Sequence, residues 1–254
     1  MRKAQFFYLL RRGLLSGGLN LITEGLVMAS KFITQGLSFP AQGSATFNGS
    51  SDYIQLNDAF SYTNHTIAAW VYANDTSGNK FIFDNRDALY DGILFRSSST
   101  EVIQYYLNNG TGAVSTSTFA DEWFFAVGTY DGTTAKLYVN GSLEGSESIS
   151  TTISVASDSK IGTGNYTAGN YFDGNLANVA IWNRALSSDE INSVMWKSYE
   201  ALSGAESNGL QAWYSLDDIT SPAASLANME QLAADKEATI ENKAAITAAI
   251  NALS

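Results

Sequence analysis

The chain has 254 residues, with 14 Lys plus Arg against 25 Asp plus Glu, a single histidine and no cysteine. A formal charge of -11 argues against a nucleic-acid partner. The missing thiols exclude disulfides, Cys-based zinc sites and thiol nucleophiles, and one imidazole, His65, excludes any site built on two.

At the start, Arg2, Lys3, Arg11, Arg12 and Lys31 stand against Glu24 alone, so residues 1–36 carry +4 and the remainder -15. Basic residues before "FFYLL" look like the head of a signal peptide, but Arg11 and Arg12 cut that apolar run. No stretch approaches the roughly 18 apolar residues of a membrane span. The expectation for residues 1–36 is a basic amphipathic arm that docks on a partner protein, with membrane-surface attachment or a misassigned start as alternatives.

Residues 37–217 are rich in Gly, Ser, Thr, Asn and aromatics, with Pro40 as their single proline and turn signals every eight to twelve residues. That spacing predicts an antiparallel β-sandwich. In "TIAAWVYAND" both alternating sets, Ile67, Ala69, Val71 and Ala68, Trp70, Tyr72, are largely apolar, which predicts a central strand opening near His65. Tyr105 and Tyr106 are neighbours on a strand, so one of them points into the core. In "WFFAVGTYDGTTAKLYVNGSLEG", Asp131-Gly132 and Asn140-Gly141 are turn pairs that tolerate positive φ, and they predict a three-strand meander from strands 123–130 and 134–139 onward. "LANVAIWNRAL" repeats the two-faced strand pattern. Trp70, Trp123, Trp182 and Trp213 read as core anchors. Ser187 followed by Glu190 is a capping box that starts a short helix, which Trp196 packs down.

Residues 218–254 form a linker and an Ala-rich segment without Gly, which reads as one long helix. Ile246, Ile250 and Leu253 make a stripe, while Lys236 and Lys243 interrupt the heptads. Self-association or docking is the expectation, a helix folded back on its own sandwich the alternative.

The order "ATFNGSSDYIQL", "TIAAWVYA", "WFFAVGTYDGTTAKLYVNG", "KIGTG", "YFDGNLANVAIWNRALSSDEI" and "LQAWYSLDD" resembles the laminin G-like and pentraxin branch of the concanavalin A-like lectin/glucanase superfamily, over about residues 42–217. The resemblance implies an all-β, concanavalin A-like jelly-roll β-sandwich. Its first strand (Ala45 to Leu56) would pair beside its last (Leu210 to Leu216), so that both appendages leave from one region. Some relatives are glycosidases with alternating carboxylates on one strand, and this chain has no Glu-x-Asp-x-Glu strand. Relatives of pentraxin type hold calcium on one rim; the matching loops offer Asp84, Asn85, Asp87 and Asp91, then Gly164, Asn165, Tyr166, Asn170 and Asp173, a second loop poor in carboxylates. A structural calcium, as the resemblance implies for many laminin G-like domains, would draw on Asn48 or Asp52, with Asp173 as a further contributor. The same residue types also cap turns without metal. Tyr90, Tyr166 and Tyr171, beside Asp91, Asn165 and Asn170, combine flat rings with polar groups and form the expected glycan site.

The expected role is non-enzymatic: a structural or display protein of a large assembly, such as a phage decoration or fibre component, on a virion or other extracellular particle and made without a convincing signal peptide. Residues 1–36 and 222–254 would hold other virion proteins or further copies in a homo-oligomer. The lectin-like domain would bind surface glycans weakly, strengthened by copy number. A free or secreted carbohydrate-binding module is the alternative, and a glycoside hydrolase comes last.

Overall fold

The computed structural model describes residues 43–216 apart from 57–59, 76, 88–92, 99, 109–110, 120–121, 150–152, 154–157 and 166–168. The expected arm over 1–36 and the helix over 222–254 lie outside the described residues.

Thirteen strands among the described residues run in chain order: β1 Ala45–Asn48, β2 Ile54–Leu56, β3 His65–Ala73, β4 Lys80–Asp84, β5 Ile93–Ser97, β6 Ile103–Leu107, β7 Thr111–Val114, β8 Trp123–Tyr130, β9 Thr134–Val139, β10 Ser142–Ser148, β11 Ser159–Ile161, β12 Asp173–Trp182 and β13 Leu210–Tyr214. All pair antiparallel, in a seven-stranded sheet ordered β1-β12-β3-β8-β9-β10 with β13 also on β12, and a six-stranded sheet ordered β2-β11-β4-β5-β6-β7. The inner faces of both sheets, with Ile67, Val71, Phe83, Phe95, Tyr105, Phe124, Leu137 and Val179 among them, share one buried core. This is the antiparallel β-sandwich that the turn spacing predicts, in the jelly-roll form that the resemblance implies.

The two-faced strands have a second core to serve. Ala68, Trp70, Phe125, Val127, Ala177, Ala180 and Trp182 point outward from the seven-stranded sheet and are still buried. They lie beneath Leu186, Ile191, Val194 and Met195, carried by a layer made of α1 (Ser188–Val194), a 3-10 turn (Tyr199–Ala201) and α2 (Gly204–Ser207). The capping box at Ser187 and Glu190 starts α1 as expected, and a second one at Ser203 and Glu206 starts α2. Two indoles fasten the layer: Trp70 Nε1 donates to the Met195 carbonyl at 3.2 Å and Trp182 Nε1 to the Glu206 carbonyl at 2.7 Å. Trp196 sits against the Trp70 ring, centroids 5.8 Å apart. Trp123 and Trp213 are partly buried against the same cluster. Among the described residues no helix is long and apolar enough to cross a membrane.

The meander forms as read. Asn140 and Gly141 take φ of 50° and 80°, and the Asn140 side chain accepts from the Phe125 N–H at 2.9 Å. At the other turn only Gly132 takes positive φ. Asp131 works there as an acceptor, its Oδ1 receiving the Thr133 and Thr134 N–H groups at 2.9 and 2.8 Å.

One expectation needs correction. Ala45 to Leu56 is two strands: β1 lies in one sheet and β2 in the other, and the chain crosses between sheets at Gly49–Tyr53. The first strand does not pair with the last. Both lie on the same edge of β12, end to end, with Ala45 opposite Leu176 and Tyr214 opposite Val179.

Candidate functional site

The two sheets differ on their outer faces. That of the seven-stranded sheet is roofed by the helical layer. On the six-stranded sheet, the side chains alternating with the core row are half-buried and polar or aromatic: Gln55 on β2, Lys160 on β11, Arg96 on β5, Gln104 and Tyr106 on β6. Strand register draws them into lines. Phe81, Arg96 and Gln104 are consecutive cross-strand neighbours in one row. In the next, Gln55 pairs with Lys160 and Lys160 with Asp84.

A bulge in β4 sets up the first row. Between Phe81 and Phe83 the register shifts, so Ile82 and Phe83 both enter the core while Phe81 does not. Phe81 is nonetheless only 2% exposed, because two guanidinium groups lie over it, Arg86 at 5.3 Å and Arg96 at 5.8 Å from its centroid. Arg96 also lies 5.4 Å from the Tyr106 centroid and donates from Nε to Gln104 Oε1 at 2.7 Å.

The loops expected to form a rim meet beside this face. The Asn165 N–H donates to Asp84 Oδ2 at 2.9 Å, and its Nδ2 reaches the Arg86 carbonyl at 3.2 Å and Asp158 Oδ1 at 3.1 Å. Asn165 thus ties the two predicted loops together. The Asn170 carbonyl accepts from the Phe81 N–H at 3.3 Å. Tyr171 tilts toward Tyr53, centroids 6.5 Å apart, and Lys160 Nζ lies 5.5 Å from the Tyr53 ring. Tyr90, Asp91 and Tyr166 lie outside the described residues.

The residues singled out for calcium are placed, but their oxygens face hydrogen donors. Asp84 receives Arg86 Nε on Oδ1 and Nη2 on Oδ2, each at 2.9 Å, and is fully buried. A cation already occupies that carboxylate. Asn85 Oδ1 accepts from the Ile93 N–H at 2.6 Å, and Asp87 lies half-buried one residue beyond Arg86. At the second location, Asn48 stands opposite Asp173 in the β1–β12 register. Asn48 Oδ1 receives the N–H groups of Ser50, Ser51 and Asp52. Asp52 Oδ2 accepts from the Asn48 N–H at 3.2 Å, and Asp173 Oδ1 from Asn74 Nδ2 at 3.1 Å. Calcium takes six to eight oxygens with free lone pairs, and among the described residues no group of three acidic or imidazole side chains is gathered to hold a metal. Among the described residues, both locations are turns closed by their own side chains.

His65 is a core residue. Its Nε2 meets the Tyr105 hydroxyl at 2.5 Å and its Nδ1 faces the Tyr62 carbonyl at 3.3 Å. The carbonyl can only accept, so Nδ1 carries the proton and Nε2 accepts from Tyr105. Of the tyrosine pair on β6, Tyr105 is buried in the core and Tyr106 faces out.

Sequence reasoning missed Tyr53, Phe81, Arg86, Arg96, Asp158 and Lys160. The alternation in "ILFRS" and "IQYYL" assigns Arg96, Gln104 and Tyr106 to one face, but only register brings the two strands' residues side by side.

Residues 48–192 match a family model of laminin G type described as the concanavalin A-like lectin/glucanases superfamily. No match was found among curated protein sequences. Among solved structures, the chain is similar to a candidate carbohydrate binding protein of Bacteroides ovatus, with a TM-score of 0.58 at 16% identity over 70% of this chain and 52% of that one. It is also similar to the CBM40 of Ruminococcus gnavus IT-sialidase bound to alpha2,3 sialyllactose, with a TM-score of 0.51 at 12% identity over 62% of this chain and 99% of that domain. The chain spans about half the length of the Bacteroides protein. At these identities the likeness is one of fold.

Proposed function

We propose, for a chain that belongs to the concanavalin A-like lectin/glucanases superfamily, a non-catalytic role in holding glycans on the outer face and adjoining rim of the six-stranded sheet. The observation that carries this reading is the difference between the two outer faces. One is sealed by a helical layer. The other presents Tyr53 and Lys160 on one part, and Arg96, Gln104 and Tyr106 on another, all half-buried, with Asn165, Asn170 and Tyr171 at its rim. Sugars bind where flat apolar rings meet spaced hydrogen-bonding groups. That the Bacteroides protein and the Ruminococcus domain are described as carbohydrate binding supports the same reading.

A site on a sheet face predicts weak binding, with a Kd on the order of 1 mM for a short oligosaccharide. Replacing Tyr53 and Tyr171 together by alanine is expected to weaken it by about tenfold, since each stacked ring contributes roughly 0.5–1.5 kcal/mol. A glycan array followed by ligand-observed NMR titration of wild type and double variant measures this. Unchanged affinity in the double variant would move the site away from the rim.

The finer proposal is display on a larger assembly, a virion above all. Supporting it, β1 and β13 lie end to end on β12, so the segments before residue 43 and after residue 216 join the domain at neighbouring points. Together with the basic composition of residues 1–36, this suits a domain held at one place with its glycan face turned outward. Deleting residues 1–36 or 222–254 is expected to abolish co-sedimentation with virus-sized particles in a density gradient while the sandwich still folds. Co-sedimentation of both truncated forms would exclude this use of the flanks.

A further inference from the structure

The six-stranded sheet's outer face has a preference built into it. The described cations are mostly spoken for: Lys80 pairs with Asp75, Arg86 with Asp84, Arg184 with Glu190 and Lys197 with Glu206, at separations of 2.5–2.9 Å. Arg96 is the exception among the described arginines. It is half-buried in the middle of a sheet, in a chain of net charge -11, and no carboxylate among the described residues forms an ion pair with it. Asp84 acts on it electrostatically, but both Asp84 oxygens are already bridged by Arg86.

Its position is fixed from three sides. Gln104 takes Nε, and the guanidinium lies over both the Phe81 and the Tyr106 ring. Using Nε for orientation leaves the terminal amino end, which also interacts with the Tyr106 side chain and carries the donors that match a carboxylate. Burial pushes the guanidinium below its ordinary value, with Tyr106 acting in the opposite direction; an added carboxylate would relieve that cost. The platform beside it is also shaped. Gly112 on β7 stands opposite Tyr106, and a Cβ there would meet Tyr106 Cδ1 at 2.8 Å and the Tyr105 carbonyl oxygen at 2.0 Å. The tightest of these contacts is with backbone, so glycine here lets β7 lie as close to β6 as it does, with the Tyr106 ring against it.

We infer that Arg96 and Tyr106 form a subsite for an acidic sugar, the guanidinium taking the sugar carboxylate and the Tyr106 ring its C–H face. This rests on the glycan-binding reading and adds to it a ligand class. A guanidinium that serves only as a cover for Phe81 would show no preference for charge on the sugar.

The test pairs sugars that differ by a carboxylate: 3′-sialyllactose against lactose, and tri-galacturonate against galactotriose, titrated into the full chain at low salt. The expected result is that the acidic member of at least one pair binds on the order of tenfold more tightly, as charge-assisted pairing allows. Which pair shows the gain distinguishes sialic from uronic acids. Arg96→Gln is expected to bring the ratio near one, and Arg96→Lys to retain part of it, with unfolding midpoints measured for both. Gln104→Ala, which removes the orienting acceptor and leaves the charge, is expected to narrow the ratio and keeps the test open if Arg96→Gln does not fold. Equal binding of acidic and neutral sugars, or a preference that survives Arg96→Gln, overturns the inference and leaves the glycan reading standing. Binding of none of the four sugars overturns both.

Discussion

Replacing Trp182 by alanine is expected to destabilise the domain by about 3–5 kcal/mol, the range for emptying a buried indole site. Trp182 is fully buried at the end of β12, in the cluster that joins the sheet to the helical layer. Three losses coincide. The indole leaves a cavity that backbone on both sides keeps from closing. The edge-on contact with Trp213, centroids 6.2 Å apart, disappears. The Glu206 carbonyl, which accepts from Nε1 at 2.7 Å, loses its buried donor. Urea unfolding followed by circular dichroism measures the change, and an unaltered slope with denaturant would assign it to stability. A loss below about 1 kcal/mol, the size expected for a surface position, would mean that the helical layer contributes no second core.

The second large effect is a loss of stability in mild acid. Burial holds His65 down to about 4 from an ordinary value of 6.5, against the smaller opposing effect of its bond to the Tyr62 carbonyl. Between those values the unfolded chain binds a proton that the folded one refuses, so stability is fully present above pH 6.5 and falls as the pH drops toward 4. The separation corresponds to about 3 kcal/mol. A different set acts lower down: Lys80 holds Asp75 at about 2, Arg184 holds Glu190 at about 2, and their contributions are lost as the pH falls below their ordinary values near 4. Equilibrium unfolding between pH 7 and 4 is expected to show the His65 slope, and His65→Gln, which can still accept from Tyr105, to flatten it. A wild-type profile that is level from pH 7 to 4.5 would contradict this account.

What the sequence disclosed and what it withheld follow from the range of the interactions. The Asn140-Gly141 turn and the Ser187–Glu190 capping box are fixed within four residues, and both form as read. The two apolar faces of β3 and β12 announced two buried surfaces, although the layer that covers the second was visible only as one capped helix. The crossing of the chain from β1 to β2 has no local mark beyond an Asn-Gly-Ser-Ser turn, so one long strand was the natural reading. In β4 the alternation itself misleads, because the bulge sends Ile82 and Phe83 to the same side and frees Phe81 to meet Arg96. "DNRD" offers carboxylate and amide oxygens, but Arg86 within it closes on Asp84 two residues away. The same residue types bind calcium or close turns, and only the direction of the hydrogen donors tells the two apart.

The end-to-end placement of β13 and β1 on β12 has a further consequence. The Ser215 carbonyl accepts from the Asn178 N–H, and Ala45 stands opposite Leu176, so about two residues of strand, roughly 7 Å, separate where the polypeptide leaves the sheet from where it entered. The two pieces amount to one strand cut in the middle. A short splice from Ser215 to Ala45 would close the polypeptide into a ring, and fresh ends opened at the Asn140-Gly141 turn would yield a circularly permuted domain with every strand pairing kept. By the same measure the sandwich is shaped as an insert: a host protein could accept it within a single surface loop, needing only two attachment points a few ångströms apart.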